Sequence, residues 1–142
     1  MSLPGSDTDI EHIARGLIER TLPKPGWTHA AHFAAAFWLL RDRGDATFRD
    51  LPPLIRAYNE STGVANTDTT GYHETITIAS LRVARAWLRG RAGMPLHAAL
   101  AELLAGVYGR SDWLLAYWSR ERLFSVAARR EWVDPDLRDL ER

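Results

Sequence analysis

The stretch that most constrains this chain runs from Ala30 to Leu40. A helix carrying Ala30, Ala31, Phe33, Ala34, Ala35, Ala36, Phe37, Trp38, Leu39 and Leu40 is apolar nearly all round. Such a helix has no face to give to water and must be covered by other elements. It points to an all-α fold, a single compact bundle around a buried central helix spanning about 28–43. Thr28 is placed to cap its start, and Gly44 to follow its end. The alanines let neighbouring helices approach closely. The run is too short to span a bilayer, and His29-Ala30-Ala31-His32 and Arg41-Asp42-Arg43 bound it.

Helices able to cover it can be read on both sides. Thr8-x-x-Glu11 has the form of a capping box, whose hydroxyl and carboxylate satisfy free amides at a helix start. Ile10, Ile13, Ala14, Leu17 and Ile18 then share one face. Pro23-Lys24-Pro25-Gly26 is a breaker cluster. Beyond the central helix, Phe48 to Leu51 reads as a short connection. Pro52-Pro53 fits the first turn of a helix, with Leu54, Ile55 and Tyr58 inward. Ser61-Thr62-Gly63 and Asn66-Thr67-Asp68 read as a polar loop. Tyr72 to Ile78 alternates and is β-branched, which suits a strand. It continues unbroken to Leu88, however, and Tyr72, Ile76, Ala79, Val83 and Ala86 keep helical spacing. One long helix is favoured, capped by Asp68, Thr69 or Thr70 and ended by Gly90. Pro95, Ser111-Asp112 and Ser125 mark further helix starts, the last running through Trp132. Leu137 and Leu140 are expected to tack the tail down. The sum is six to seven helices.

The 142 residues fit one domain, 1–142, with 1–6 as a flexible lead. The 18 basic and 18 acidic residues cancel. No broad basic field is available for nucleic acid or an anionic membrane, so neither is an expected partner, although a small basic patch is compatible. With no cysteine, there are no disulfides, thiolate metal sites or cysteine nucleophiles. Met1 to Asp7 lacks the basic and apolar regions of a signal peptide, so the expected location is cytoplasmic.

Candidate chemistry gathers in two clusters. In Trp27-Thr28-His29-Ala30-Ala31-His32, the two histidines project from one helix face about 5–6 Å apart. That spacing lets both ligate one ion, and the positive end of the helix dipole favours neutral imidazole. Alone, the pair more often bonds a backbone carbonyl or lines the surface. Gly71-Tyr72-His73-Glu74-Thr75 supplies a third histidine and a carboxylate. Three imidazoles with an open position make a catalytic zinc arrangement, and histidines plus a carboxylate also suit nickel or iron. Glu74 would be the fourth ligand or the base that deprotonates bound water. The alternative pairs Glu74 with Arg82 and packs His73 in the core. Asn66 or Thr75 could orient an imidazole. His12 and His97 have no evident partner. Among Arg120, Arg122, Arg129 and Arg130, one turned inward could hold an anion, but a solvated, salt-bridged face is the better reading.

Three passages, W-T-H-x-x-H at Trp27–His32, G-Y-H-E-T at Gly71–Thr75, and Tyr117–Leu123 with Val133–Leu137, resemble an uncharacterised family of small bacterial helical proteins. The resemblance covers most of the chain from Trp27 onward. It implies that the two histidine clusters belong to one constellation, but no particular activity. Other small helical bundles, the DinB-like proteins among them, hold a divalent metal with three histidines in a different order and spacing. The leading expectation is a small metal-dependent hydrolase- or lyase-like enzyme acting on a small molecule, with His29, His32 and His73 as ligands and zinc first among the metals. The alternatives are a metal-free acid–base enzyme using His73 and Glu74, and a non-enzymatic module whose Phe33–Leu40 surface faces a ligand or a second subunit in a homodimer.

Overall fold

The computed structural model describes residues 3–140, and these are all-helical. Five long helices come first: α1 (Asp7–Glu19), α2 (His29–Arg43), α3 (Thr47–Ser61), α4 (Glu74–Arg89) and α5 (Leu96–Ala105). Two short ones, α6 (Arg120–Leu123) and α7 (Val126–Arg130), follow a stretch of 3-10 turns. Helix α2 is the centre, packed against α1, α3, α4 and α5. Thr28 caps it by accepting from the Ala31 amide at 3.2 Å, and Gly44 ends it at a φ of 60°. Phe33, Ala34, Ala35, Phe37 and Leu39 are buried within the chain itself. That apolar surface is therefore covered by the protein's own helices and is not offered to a second subunit.

Several boundaries differ from the sequence reading. Helix α1 starts earlier than the Thr8 box. Ser6 is its cap, accepting from the Asp9 amide, while the Asp9 carboxylate accepts from the Gly5 amide, both at 3.1 Å. Of the expected flexible lead 1–6, Gly5 and Ser6 are thus tied into a helix start, and Met1 and Ser2 lie outside the described residues. Phe48 to Leu51 is helical and not a connection. The 3-10 turn Gly44–Ala46 feeds directly into α3, so Pro52 and Pro53 lie inside the helix. Burial of Thr47, Leu51 and Pro52 holds the helix together across the missing amides. Ser111-Asp112 opens only a 3-10 turn, Trp113–Ala116, because Asp112 bonds Arg110 instead of a helix amide. Ser125 does cap α7, which ends at Arg130.

The tail is tied by polar contacts. Ser119, the α6 cap, gives its amide and hydroxyl to the Asp136 carboxylate at 2.8 and 2.7 Å. The Leu137 amide donates to the Tyr117 carbonyl at 2.9 Å, while its side chain stays exposed; Leu140 packs on the core. No helix among the described residues is long and apolar enough to cross a membrane.

Candidate functional site

The G-Y-H-E-T passage sits where the 62–73 loop enters α4. The long helix is real, but its cap is His73, not Asp68, Thr69 or Thr70. Nδ1 of His73 accepts from the Ile76 amide at 3.2 Å, and Nε2 lies 2.7 Å from the Leu123 carbonyl oxygen. A carbonyl only accepts, so Nε2 carries the proton and Nδ1 the lone pair. Both ring nitrogens are committed in a residue only 7% exposed. Burial lowers its pKa, the Leu123 bond opposes the fall, and the Arg129 charge reinforces it.

Every neighbour in the passage is engaged as well. Gly71 has a φ of 77°, and a Cβ there would run into the Ala65 carbonyl oxygen and the Asn66 side chain. Asn66 takes the Tyr72 amide at 3.0 Å, accepts from Asn59 at 3.1 Å and donates to the Arg56 carbonyl at 3.0 Å. The Tyr72 hydroxyl donates to Glu74 Oε1, and Arg56 lies over the Tyr72 ring at 4.3 Å. Burial, with the Glu74 bond, raises the Tyr72 hydroxyl well above the ordinary tyrosine range. The buried Thr75 hydroxyl lies 2.7 Å from the Ala128 carbonyl and accepts from the Val133 amide at 3.2 Å, joining α4 to the C-terminal segment. Thr75 therefore spends its hydroxyl on the main chain, and Asn66 its amide on the main chain and Asn59, and neither on an imidazole. Arg129 is the arginine turned inward, and it donates to the Gly71 and Tyr72 carbonyls at 2.9 and 3.3 Å. Arg130 holds Asp68 through two bonds of 2.8 and 2.6 Å.

The W-T-H-x-x-H passage is arranged differently. His29 Nε2 lies 2.7 Å from the Tyr108 carbonyl, so in the neutral ring Nδ1 keeps its lone pair. His32 Nδ1 lies 2.7 Å from the Thr28 carbonyl, which leaves the lone pair on Nε2. Trp27 stacks over His32 at a centroid separation of 3.8 Å and withdraws one ring face from water, although the residue keeps an open edge. The cover of Trp27 lowers the His32 pKa by desolvation; the Thr28 bond opposes this and His29 adds to it. His29 lines an open recess of about 430 Å³ between the start of α2 and α5, with Thr28, Ala30, Ala101, Leu104, Ala105 and Gly109.

The structure thus brings His29 and His32 together on one helix turn and His73 with Glu74 on another. It directs the two pairs to separate partners. Among the described residues, no three His, Cys, Asp or Glu side chains are grouped to hold an ion. His97 does have a partner: with the Leu96 and His97 amides, its ring contacts the Asp7 carboxylate, which thereby caps α5 from another helix. No sequence spacing could show that pairing. A feature passed over in sequence is the row Arg82, Arg85 and Arg89 on α4, which lines a groove of about 490 Å³.

No protein-family model matches the chain, and neither a curated protein nor a solved structure matches it.

Proposed function

We propose that this chain is a small helical ligand-binding protein whose recess between α2 and α5 takes a small, largely apolar molecule carrying one hydrogen-bond donor. The observation that carries the reading is the orientation of His29. Its bond to the Tyr108 carbonyl fixes the tautomer and leaves an acceptor nitrogen on a residue lining the recess. The volume falls within the span of about 300–1,000 Å³ usual for small-molecule sites, which are mostly apolar with a few placed polar groups. Para-cresol is a suitable probe. Titration should shift the amide resonances of Ala30, Ala101, Ala105 and Gly109. Ala101→Trp, which fills the recess, should abolish the shifts, and His29→Phe should weaken binding about tenfold. Binding that Ala101→Trp leaves intact, or no shift at those amides, would overturn the proposal.

A second reading, a metal-dependent hydrolase or lyase, is favoured by one feature. His29 and His32 each donate from one ring nitrogen to a main-chain carbonyl and keep a lone pair on the other, as metal-ligating histidines do. On this reading α2 supplies two ligands to zinc, nickel or iron. His73 joins them only by releasing the Ile76 amide, and the Glu74 base already accepts from the Tyr72 hydroxyl at one of its two oxygens.

A further inference from the structure

The outer face of α4 gathers positive charge in a chain whose formal net charge is zero. Arg82, Arg85 and Arg89 fall at successive helical spacings of three and four residues, so each neighbours the next on one face. Like charges so placed repel and weaken a helix. Here they also line a common groove, with Phe48 and Ile78 as its apolar part. Aromatic rings hold two of the guanidinium groups: Arg82 lies over Trp132 at 4.0 Å and Arg85 over Phe48 at 4.5 Å. Asp45 meets Arg85 at 3.3 Å but is itself mostly in water, and Asp134 and Asp139 border the adjoining recess that Arg82 shares with Trp132.

We infer that this groove binds a multiply charged oxyanion on a small molecule, of the phosphate or polycarboxylate class. Stacked guanidinium groups suit that role. Their planes are set in advance, they stay charged at any physiological pH, and the guanidinium fork is a shape that matches two oxygens of one anion. An anion bridging the row also removes the repulsion along α4. The Phe48 and Ile78 surface leaves room for an apolar body attached to the charged group. The groove is separate from the recess beside His29, so the inference does not depend on the proposed function.

The test uses the full chain, with pyrophosphate and citrate as separate probes followed by amide resonances. Saturable binding of either at millimolar concentration or below is expected, with shifts at Phe48 and from Ile78 to Arg89. Which probe binds more tightly distinguishes phosphate from carboxylate chemistry. Arg85→Gln and Arg89→Gln should each weaken it about tenfold, the usual scale for losing one charge-assisted hydrogen bond. Arg85 also contacts Phe48 and Asp45, whereas Arg89 is exposed, so Arg89→Gln gives the reading free of folding effects. Arg110→Gln, at an exposed arginine paired with Asp112, should change nothing. Binding of neither probe, or an equal loss in Arg89→Gln and Arg110→Gln, would overturn the inference.

Discussion

Replacing His73 tests what the G-Y-H-E-T signature is for. His73→Ala removes three contributions at once. Loss of the α4 cap costs about 1 kcal/mol. The Leu123 carbonyl loses its donor in a buried setting, at about 1–3 kcal/mol. Replacing a buried ring by a methyl group adds roughly 1 kcal/mol. The total, about 3–5 kcal/mol, is a large share of the usual 5–15 kcal/mol or so, and corresponds to a fall in Tm of roughly 10–20 °C. His73→Asn keeps an acceptor for the Ile76 amide but is too short to reach Leu123, so it should lose about 1 kcal/mol less. Urea denaturation followed by circular dichroism measures both. A cost below about 1 kcal/mol for His73→Ala, or equal costs for the two variants, would refute the capping role.

The same bond sets a pH dependence. Protonation of Nδ1 removes the lone pair that accepts from Ile76, and the folded-state pKa lies below the ordinary 6.5 because of burial and the charge of Arg129. Below the ordinary value the unfolded chain takes up a proton that the folded chain refuses. Stability is therefore full above about 6.5 and declines as the pH falls through the lower folded value. His32 shifts in the same direction, so the difference between wild type and His73→Asn isolates His73. The acid slope should be shallower in the variant, and identical slopes would refute the assignment.

Other perturbations have definite outcomes. Gly71→Ala and Gly63→Ala both place a side chain at positive φ, at a cost of about 1–2 kcal/mol. Only Gly71 also collides with Ala65 and Asn66, so its urea midpoint should fall at least about twice as far. Asp7→Asn should cost about 1 kcal/mol by weakening the α5 cap. Burial raises the Asp7 carboxyl, but the bonds from His97 and Leu96 outweigh it and hold it below 3.8. Its stabilisation is thus present above that value and lost as the pH falls through the lower folded one, which an acid series of denaturation curves on wild type and variant would show. On the metal-dependent reading, zinc titrated calorimetrically into tag-free protein should depend on His29 and His32 and be indifferent to His73→Asn. Stoichiometric binding abolished by His73→Asn would restore the three-histidine site and refute the structural role of His73.

The central helix was legible because an all-round apolar run has one physical solution, and Thr28 and Gly44 bounded it by local capping chemistry. The faces of α1 and α4 followed from periodicity for the same reason. Residues whose partners come from distant parts of the chain were not legible. Asp7 capping α5, Tyr108 orienting His29 and Leu123 accepting from His73 join segments with no sequence relation. The cap of α4 was missed because an imidazole nitrogen rarely takes the place of the Ser, Thr, Asp or Asn that ordinarily does this work. The arginine row was present in sequence but lacked meaning until Phe48, Trp132 and Asp45 were placed around it.

The three signatures share a physical task. Each lies at a turn or helix end, where backbone groups lack intrahelical partners, and a buried orphan costs as much as a lost hydrogen bond. His73, Thr75 and Arg129 serve the 71–76 and 123–133 segments, His29 serves Tyr108, and Ser119 with Asp136 and Trp118 with Val133 close the tail. A histidine that caps a helix and a histidine that binds metal look alike in sequence, because both need a neutral ring with one fixed tautomer. What separates them is whether the remaining lone pair is spent. His73 spends it on Ile76, whereas His29 and His32 do not, which is why the functional proposals rest on α2 and the arginine face of α4 and not on the G-Y-H-E-T turn.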